Sequence, residues 1–317
     1  MPRNIAIVGA GVSGLTCGVL LAERGDGVTI LADKTGARTT SAAAGAIWYP
    51  YDAEPADAVM AWALETYDVL ARLSEDQAGG VSMLELRTFS RGHKMEIPLW
   101  AFKLGARPLT PPELEEISPT SLGASGFALT VPLMDTTIYL DYLARRFEAA
   151  GGVVRGSAHL ETLEEAPADF DSIVHCAGIG ARDLAGDNDL EPHRGQVAIV
   201  PKMDLPYAVV CDDAPLMYAI PRAKDCLFGG SNEVSFSRTV NAADTARIVT
   251  ECSRVLKMDA PQVLAEHVGI RPFRKSGVRV ARDRGRDGRA IIHNYGHGGS
   301  GFTLSWGCAR VVVELLP

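Results

Sequence analysis

A chain of 317 residues and 33.8 kDa can bury a sizeable core, most naturally as two closely joined domains. Its net charge of −8 argues against nucleic acid or an anionic membrane as the main partner, and no apolar run approaches the roughly 20 residues of a membrane span. The six cysteines are scattered with no C-x-x-C pair, and no cleavable apolar leader opens the sequence, so free thiols in a reducing cytoplasm are expected.

Ile5-Ala6-Ile7-Val8 is an apolar run suited to a strand buried on both faces. It leads into Gly9-Ala10-Gly11-Val12-Ser13-Gly14 and a helical pattern over residues 15–24. Val28-Thr29-Ile30-Leu31 reads as a second strand that ends at Asp33. A βαβ unit with G-x-G-x-x-G at the turn and an acid about 20 residues on is the dinucleotide fingerprint. The glycines let the backbone turn tightly against a pyrophosphate, which sits on the positive end of the helix. Asp33 can accept hydrogen bonds from the adenosine ribose.

Residues 34–51 have a loop composition, with Thr39-Thr40-Ser41 followed by Ala42-Ala43-Ala44-Gly45. Hydroxyls and tiny side chains allow close approach to a diphosphate; a flexible linker is the alternative. Ile47-Trp48-Tyr49-Pro50-Tyr51 is bulky enough to require packing. Residues 55–74 carry an apolar helical stripe. Residues 82–98 alternate loosely, as strands of an antiparallel layer would. Residues 108–119 are proline-rich and acidic, a surface loop with at most one short helical turn, and residues 127–133 form another strand. Residues 52–134 are therefore assigned to a second domain.

Asp135 is placed to N-cap a helix over 136–150 that stops at Gly151-Gly152. Strand Val153-Val154 and a short hairpin follow. Residues 171–178 return to the first domain as a strand whose small tip residues leave room for a flat ring or ribose. Arg194-Gly195-Gln196 opens a run back to the second domain. Tyr218-Ala219-Ile220-Pro221 and Cys226-Leu227-Phe228-Gly229-Gly230 pair across the turn 222–225, and Asn241 with Asp244 caps a helix over 242–256.

Gly269-Ile270-Arg271-Pro272-Phe273-Arg274 precedes Gly277-Val278-Arg279-Val280, a strand that sets Arg279 between apolar neighbours; a surface salt bridge is the plain alternative for that arginine. The strand at residues 291–295 flows into a glycine-dense turn and a final helix to residue 316, and a second helix N-terminus there would suit the ring end of a dinucleotide. His293 and His297 stand four apart in a turn rather than on a helix, so no metal site is expected.

His293-Asn294-Tyr295-Gly296 with Gly298-Gly299 and Gly307-Cys308-Ala309 resembles the signature of D-amino-acid oxidases. The first βαβ unit, Ala43-Ala44-Gly45 with Trp48 and Pro50, Arg194-Gly195-Gln196, Tyr218-Ala219-Ile220-Pro221 and Gly277-Val278-Arg279 match in order, so the resemblance covers nearly the whole chain. It implies an α/β fold in which a Rossmann-type FAD-binding domain (1–51, 135–195 and 276–317) is interleaved with a substrate domain on a mixed or antiparallel sheet (52–134 and 196–275). It implies bound FAD and oxidation of neutral D-amino acids to imino acids, by hydride transfer from Cα to flavin N5, with oxygen reduced to hydrogen peroxide. Arg279 would hold the substrate carboxylate, Tyr218 would add its hydroxyl, and the Gly299 carbonyl would accept from the amine. Gly9, Ala10, Gly11, Val12, Ser13 and Gly14 would hold the pyrophosphate, and Asp33 with Lys34 the ribose and adenine. Thr40, Ser41, Ala43, Ala44 and Gly45 would approach the diphosphate and flavin, and Gly298, Gly299, Ser300, Gly301, Phe302 and Thr303 the flavin ring.

The segment Cys211-Asp212-Asp213-Ala214-Pro215 is shorter than the lid of vertebrate members and lacks its tyrosine. The C-terminal Leu315-Leu316-Pro317 is no peroxisomal tripeptide, in keeping with a cytoplasmic protein. A homodimer is also among the expectations. Glycine, sarcosine or D-aspartate as substrate, a dehydrogenase using another acceptor, and FAD binding without turnover are the alternatives. D-Aspartate would need a second cation, for which Arg222 is the candidate.

Overall fold

The computed structural model describes residues 3–51, 53–117 and 124–317. The opening unit is β1 (Asn4–Val8), α1 (Val12–Glu23) and β2 (Gly27–Ala32). The helix begins at Val12 rather than Leu15, because Gly11 is its N-cap and the glycine turn supplies its first turn. Two short 3-10 turns follow at Gly36–Arg38 and Thr40–Ala43. The bulky segment behind them is packed as expected: Trp48 is fully buried, its N–H bonds to the Pro132 carbonyl, and its indole N–H bonds to the Ala63 carbonyl.

The chain continues through α2 (Ala56–Leu73), β3 (Val81–Ser90), α3 (Leu99–Lys103), β4 (Arg107–Pro108), α4 (Pro111–Ile117), β5 (Ser125–Met134) and α5 (Thr136–Ala149). Two expectations change here. The strand pattern ends at Ser90, and the short helical turn expected in the proline-rich stretch is a two-turn helix. Its cause is a capping box, in which Glu113 accepts from the Thr110 N–H at 2.8 Å and prolines occupy the first helical positions. The remainder of that expected loop, residues 118–119, lies outside the described residues. Asp135 caps α5 as expected, accepting from the Thr137 N–H at 3.0 Å.

Next come β6 (Val153–Gly156), β7 (Ser172–His175), α6 (Ala181–Leu184), β8 (Leu190–Pro201), β9 (Tyr207–Cys211), β10 (Met217–Pro221), β11 (Asp225–Gly229) and β12 (Glu233–Val234). The connection after β6 is a 3-10 turn at Leu163–Glu165 rather than a hairpin. The chain closes with α7 (Ala242–Val255), β13 (Ala265–Arg274), β14 (Arg279–Arg284), β15 (Ala290–Tyr295) and α8 (Gly301–Leu315). Asn241 caps α7 alone, by accepting from the Ala243 N–H. Asp244 does not share that cap, because buried Arg194 claims it at 3.0 Å.

These strands form two sheets. One runs β14-β15-β7-β1-β2-β6, parallel except for β14 at its edge. Helices α1, α5 and α8 pack upon it, and α2 packs on α8. Gly18 permits the close approach of α1 to α5, since a Cβ there would stand 3.1 Å from the Phe147 ring.

The other sheet runs β12-β8-β11-β10-β9-β3-β5-β4, with β13 on the long strand β8. Its pairings are antiparallel except β3 with β9. Strand alternation divides its two faces. Ala198, Val209, Cys211, Met217, Ala219 and Phe228 pack against Ile248, Cys252 and Val255 of α7. Their neighbours Val197, Val210, Tyr218 and Ile220 turn to the opposite side, toward the first sheet. No helix among the described residues is long and apolar enough to cross a membrane.

Candidate active site

A cavity of about 660 Å³ is lined from both sheets, inside the roughly 300–1,000 Å³ range of small-molecule sites. At one end are the C-terminal tips of β1, β2 and β7, represented by Val8, Ala32, Asp33 and Cys176; the wall at the other is Val210, Tyr218 and Ile220. The register Val8↔Leu31 and Val8↔His175 sets those three tips level.

The first end has the form of a phosphate cradle. Gly9 takes φ +111°, a conformation L side chains rarely adopt, and a Cβ on Gly14 would stand 1.9 Å from the Gly9 carbonyl oxygen. Gly11 caps α1 without a side chain. The Val12 N–H is bonded to Ser41 Oγ at 3.0 Å, and Leu15 is the first residue to bond back within the helix. The N–H of Ser13, on the cavity, is therefore available to an anion. The start of α8 meets the same cavity through Gly301 and Phe302, and its N-cap Ser300 makes no capping bond. Two uncapped helix N-termini facing one cavity suit a diphosphate at the first and an electron-rich ring at the second.

Most residues expected at the cofactor do line this cavity: Gly9, Ala10, Gly11, Val12, Ser13, Asp33, Lys34, Thr40, Ser41, Ala43, Ala44, Gly45, Gly298, Gly299, Gly301 and Phe302. Gly14, Ser300 and Thr303 do not. Gly14 acts through close backbone packing. Ser300 and Thr303 act as clips: Ser300 Oγ accepts from the Tyr51 N–H at 2.8 Å and donates to the Tyr51 carbonyl. Thr303 Oγ1 accepts from the Tyr49 N–H at 3.2 Å and donates to its carbonyl at 3.1 Å. They hold both tyrosines against the cavity.

Arg279 is placed elsewhere. It lies on the edge strand β14, where its guanidinium donates to Asp283 and, at 2.8 Å, to the Tyr295 hydroxyl. Tyr295 in turn donates to Asp187 at 2.8 Å, which also pairs with Arg274. The surface salt bridge is what the structure realises, and Arg279 does not line the cavity.

A different arginine, Arg271, faces the cavity. It lines the cavity from β13 and donates from Nη1 to the Ser231 carbonyl at 2.9 Å. Gly195 makes room for it, since a Cβ there would come within 2.4 Å of Arg271 Nη2. The Tyr218 hydroxyl interacts with the same guanidinium. Burial raises the Tyr218 hydroxyl above its ordinary value, and Arg271 opposes that rise. Gly229 and Gly230 accommodate the Tyr218 ring, which a Cβ on either would strike, at 2.1 and 2.5 Å. The glycine turn after β15 is stitched to this strand, with the Gly298 N–H on the Pro272 carbonyl at 2.9 Å, so Gly298 and Gly299 stand beside Arg271.

Arg194-Gly195-Gln196 thus works as a unit. Arg194 pairs with Glu233 and Asp244, and Gln196 binds Asn241 and Thr245, so the loop before α7 is tied down while Gly195 clears the arginine. The sequence signal for Arg271 was Gly269-x-Arg271 on one strand face, and a Cβ on Gly269 would stand 3.4 Å from Thr40 and Ala43.

His297 is buried, bonds to Asn294 at 2.9 Å, and is held neutral by burial, its pKa lowered to about 4. His293 is away from it, against His175 at 3.1 Å and Asp283 at 3.3 Å. Among the described residues no group of three or more metal-ligating side chains comes together. Arg222 is turned onto Asp225 and Thr136, off the cavity.

The sequence matches the family described as FAD dependent oxidoreductase, DAO, over residues 4–315. The chain belongs to this family. A D-amino-acid oxidase of Rubrobacter xylanophilus is 37% identical over 98% of this chain and 94% of its own length. One of Streptomyces coelicolor is 37% identical over 98% and 96%. Human D-aspartate oxidase is 30% identical over 99% and 94%. The glycine oxidase of Geobacillus kaustophilus has the same fold, with a TM-score of 0.82 over 99% of this chain and 94% of that one at 19% identity. As a member of the family the protein is a flavoenzyme, and FAD is the group its cradle fits.

Proposed function

We propose that the protein oxidises D-amino acids, with Arg271 and Tyr218 as the anchor for the α-carboxylate. One observation carries this: a guanidinium aimed by Ser231 and Gly195 and interacting with a tyrosine hydroxyl faces the cavity beside the Gly298-Gly299 turn. That pair presents a planar fork and a hydroxyl, the donors a carboxylate takes. Residues 9–14, Asp33 and the 40–45 turn would hold the dinucleotide end of FAD, and the Gly298–Phe302 region its ring end. When bound, FAD supplies the two-electron oxidation of the α-carbon.

The contribution of the chain is orientation. Arg271 with Tyr218 fixes the carboxylate, and the Gly299 carbonyl fixes the amine. Only one enantiomer then turns its α-hydrogen toward the ring end. Tyr49 and Tyr51, clipped to α8, cover the site and exclude water. Residues 1–51, 135–195 and 276–317 form the cofactor half and the remainder the substrate half in this proposal. Oxygen as acceptor, peroxide as product, a homodimer and a cytoplasmic setting belong to it too, the last supported by six unpaired cysteines.

The test is peroxide release under air from a panel of D- and L-amino acids, glycine and sarcosine. Activity on D-enantiomers with little on the others is expected. Peroxide from glycine or sarcosine with none from D-alanine, D-valine or D-methionine overturns it.

A further inference from the structure

The wall opposite the glycine turn carries one charged side chain with no established purpose. Val210, Asp212, Leu216 and Tyr218 alternate onto the cavity face of the β9–β10 hairpin, whose register pairs Tyr218 with Val210. Continuing that register places Asp212 diagonally from Tyr218, about 7–8 Å away between backbones. Leu216 stands between them as an apolar floor.

Asp212 is open to the cavity, and no lysine, arginine or histidine among the described residues forms an ion pair with it. Its partner is the Tyr49 hydroxyl, which Thr303 holds in place through the Tyr49 backbone. Its neighbour Asp213 is used differently, accepting from the Arg91 N–H at 2.7 Å and pairing with His93. A carboxylate held on the wall of a binding cavity without a cation is completed by a cation on the ligand.

We infer that Asp212 forms the side-chain end of the substrate site and selects D-amino acids whose side chain ends in a cation, of the length of D-lysine. This rests on the function proposed above. With the α-carboxylate on Arg271 and Tyr218, the side chain extends along Leu216 toward Asp212. An acidic side chain meets repulsion there in place of a partner.

The experiment compares kcat/KM for D-lysine and for D-norleucine, the same carbon chain without the ammonium, using holoenzyme. Asp212→Asn should lower the D-lysine to D-norleucine ratio about fivefold, the size suited to a pair partly open to water. Asp212→Glu should retain most of the preference. A ratio within twofold of the parent in Asp212→Asn overturns the assignment. Should that variant lose its flavin spectrum, the parent decides alone: D-norleucine turned over tenfold better than D-lysine also overturns it. A parent inactive on every D-amino acid defeats the underlying function instead, so the two failures are told apart.

Discussion

Replacing Arg271 and Arg279 separately distinguishes a substrate anchor from a surface ion pair. Arg271 is braced by the Ser231 carbonyl and Tyr218 with Gly195 beneath it, so its fork is aimed before the carboxylate arrives. Two charge-assisted hydrogen bonds at about 1.5–3 kcal/mol each amount to about 3–6 kcal/mol of binding and alignment. Arg271→Ala should therefore lower kcat/KM for a D-amino acid by hundreds-fold or more. Arg271→Lys keeps the charge and removes the fork, so a residual loss of at least about tenfold would report geometry. Flavin absorbance should stay near the parent's in both. Arg279 pairs with a half-exposed Asp283, and Asp187 retains Arg274 without it. Arg279→Ala should cost about 1 kcal/mol of stability and leave turnover within about threefold. Oxygen consumption on purified holoenzyme measures all three. Severe loss in Arg279→Ala, with Arg271→Ala within about fivefold of the parent, would refute the reasoning.

Gly195→Ala adds a methyl 2.4 Å from Arg271 Nη2 and should displace the guanidinium, lowering kcat/KM at least tenfold with little loss of FAD; unchanged kinetics would mean that the arginine tolerates displacement. Burial also depresses His175 to about 3, and His293 and His297 to about 4. The unfolded chain binds those protons from about pH 6.5 downward while the folded chain does not, so stability is full above that pH and falls toward pH 4. By pH 5 each histidine accounts for about 1–2 kcal/mol, and Tm of the holoenzyme should drop by several degrees between pH 7.5 and 5. A flat profile would show that these rings protonate in place.

The cofactor half was legible because its chemistry is local. Residues 9–13 and Asp33 line the cavity and belong to one continuous βαβ unit, so adjacent residues suffice to see them. The proposed substrate anchor was not. Arg271 and Arg279 both sit in strands near glycines, and the motif around Arg279 is the more conspicuous. What separates them is distant in the chain: Gly195 and Ser231 beside one, Tyr295 and Asp187 beside the other. Cross-strand register decides such cases, and one sequence does not display it. The same holds for Ser300 and Thr303, whose partners are two tyrosines about 250 residues earlier. The α4 helix differs, since Thr110-Pro111-Pro112-Glu113 is a start signal readable on the page, outweighed there by proline content.

The wall that carries Asp212 is one face of a hairpin whose opposite face is welded to α7. The residues joining its two strands are held at Asp213 and Pro215 by Arg91. Shortening or lengthening that connector by one residue would turn a different side chain inward while the pairing of Tyr218 with Val210 stayed intact. Chain length at one bend is thus a dial on pocket chemistry, adjustable without touching Arg271, Tyr218 or the glycine turns proposed to hold the carboxylate and the flavin. Insertions at this bend therefore change the pocket at less cost than exchanges at Gly9, Gly45, Gly195 or Gly299, where an added carbon collides.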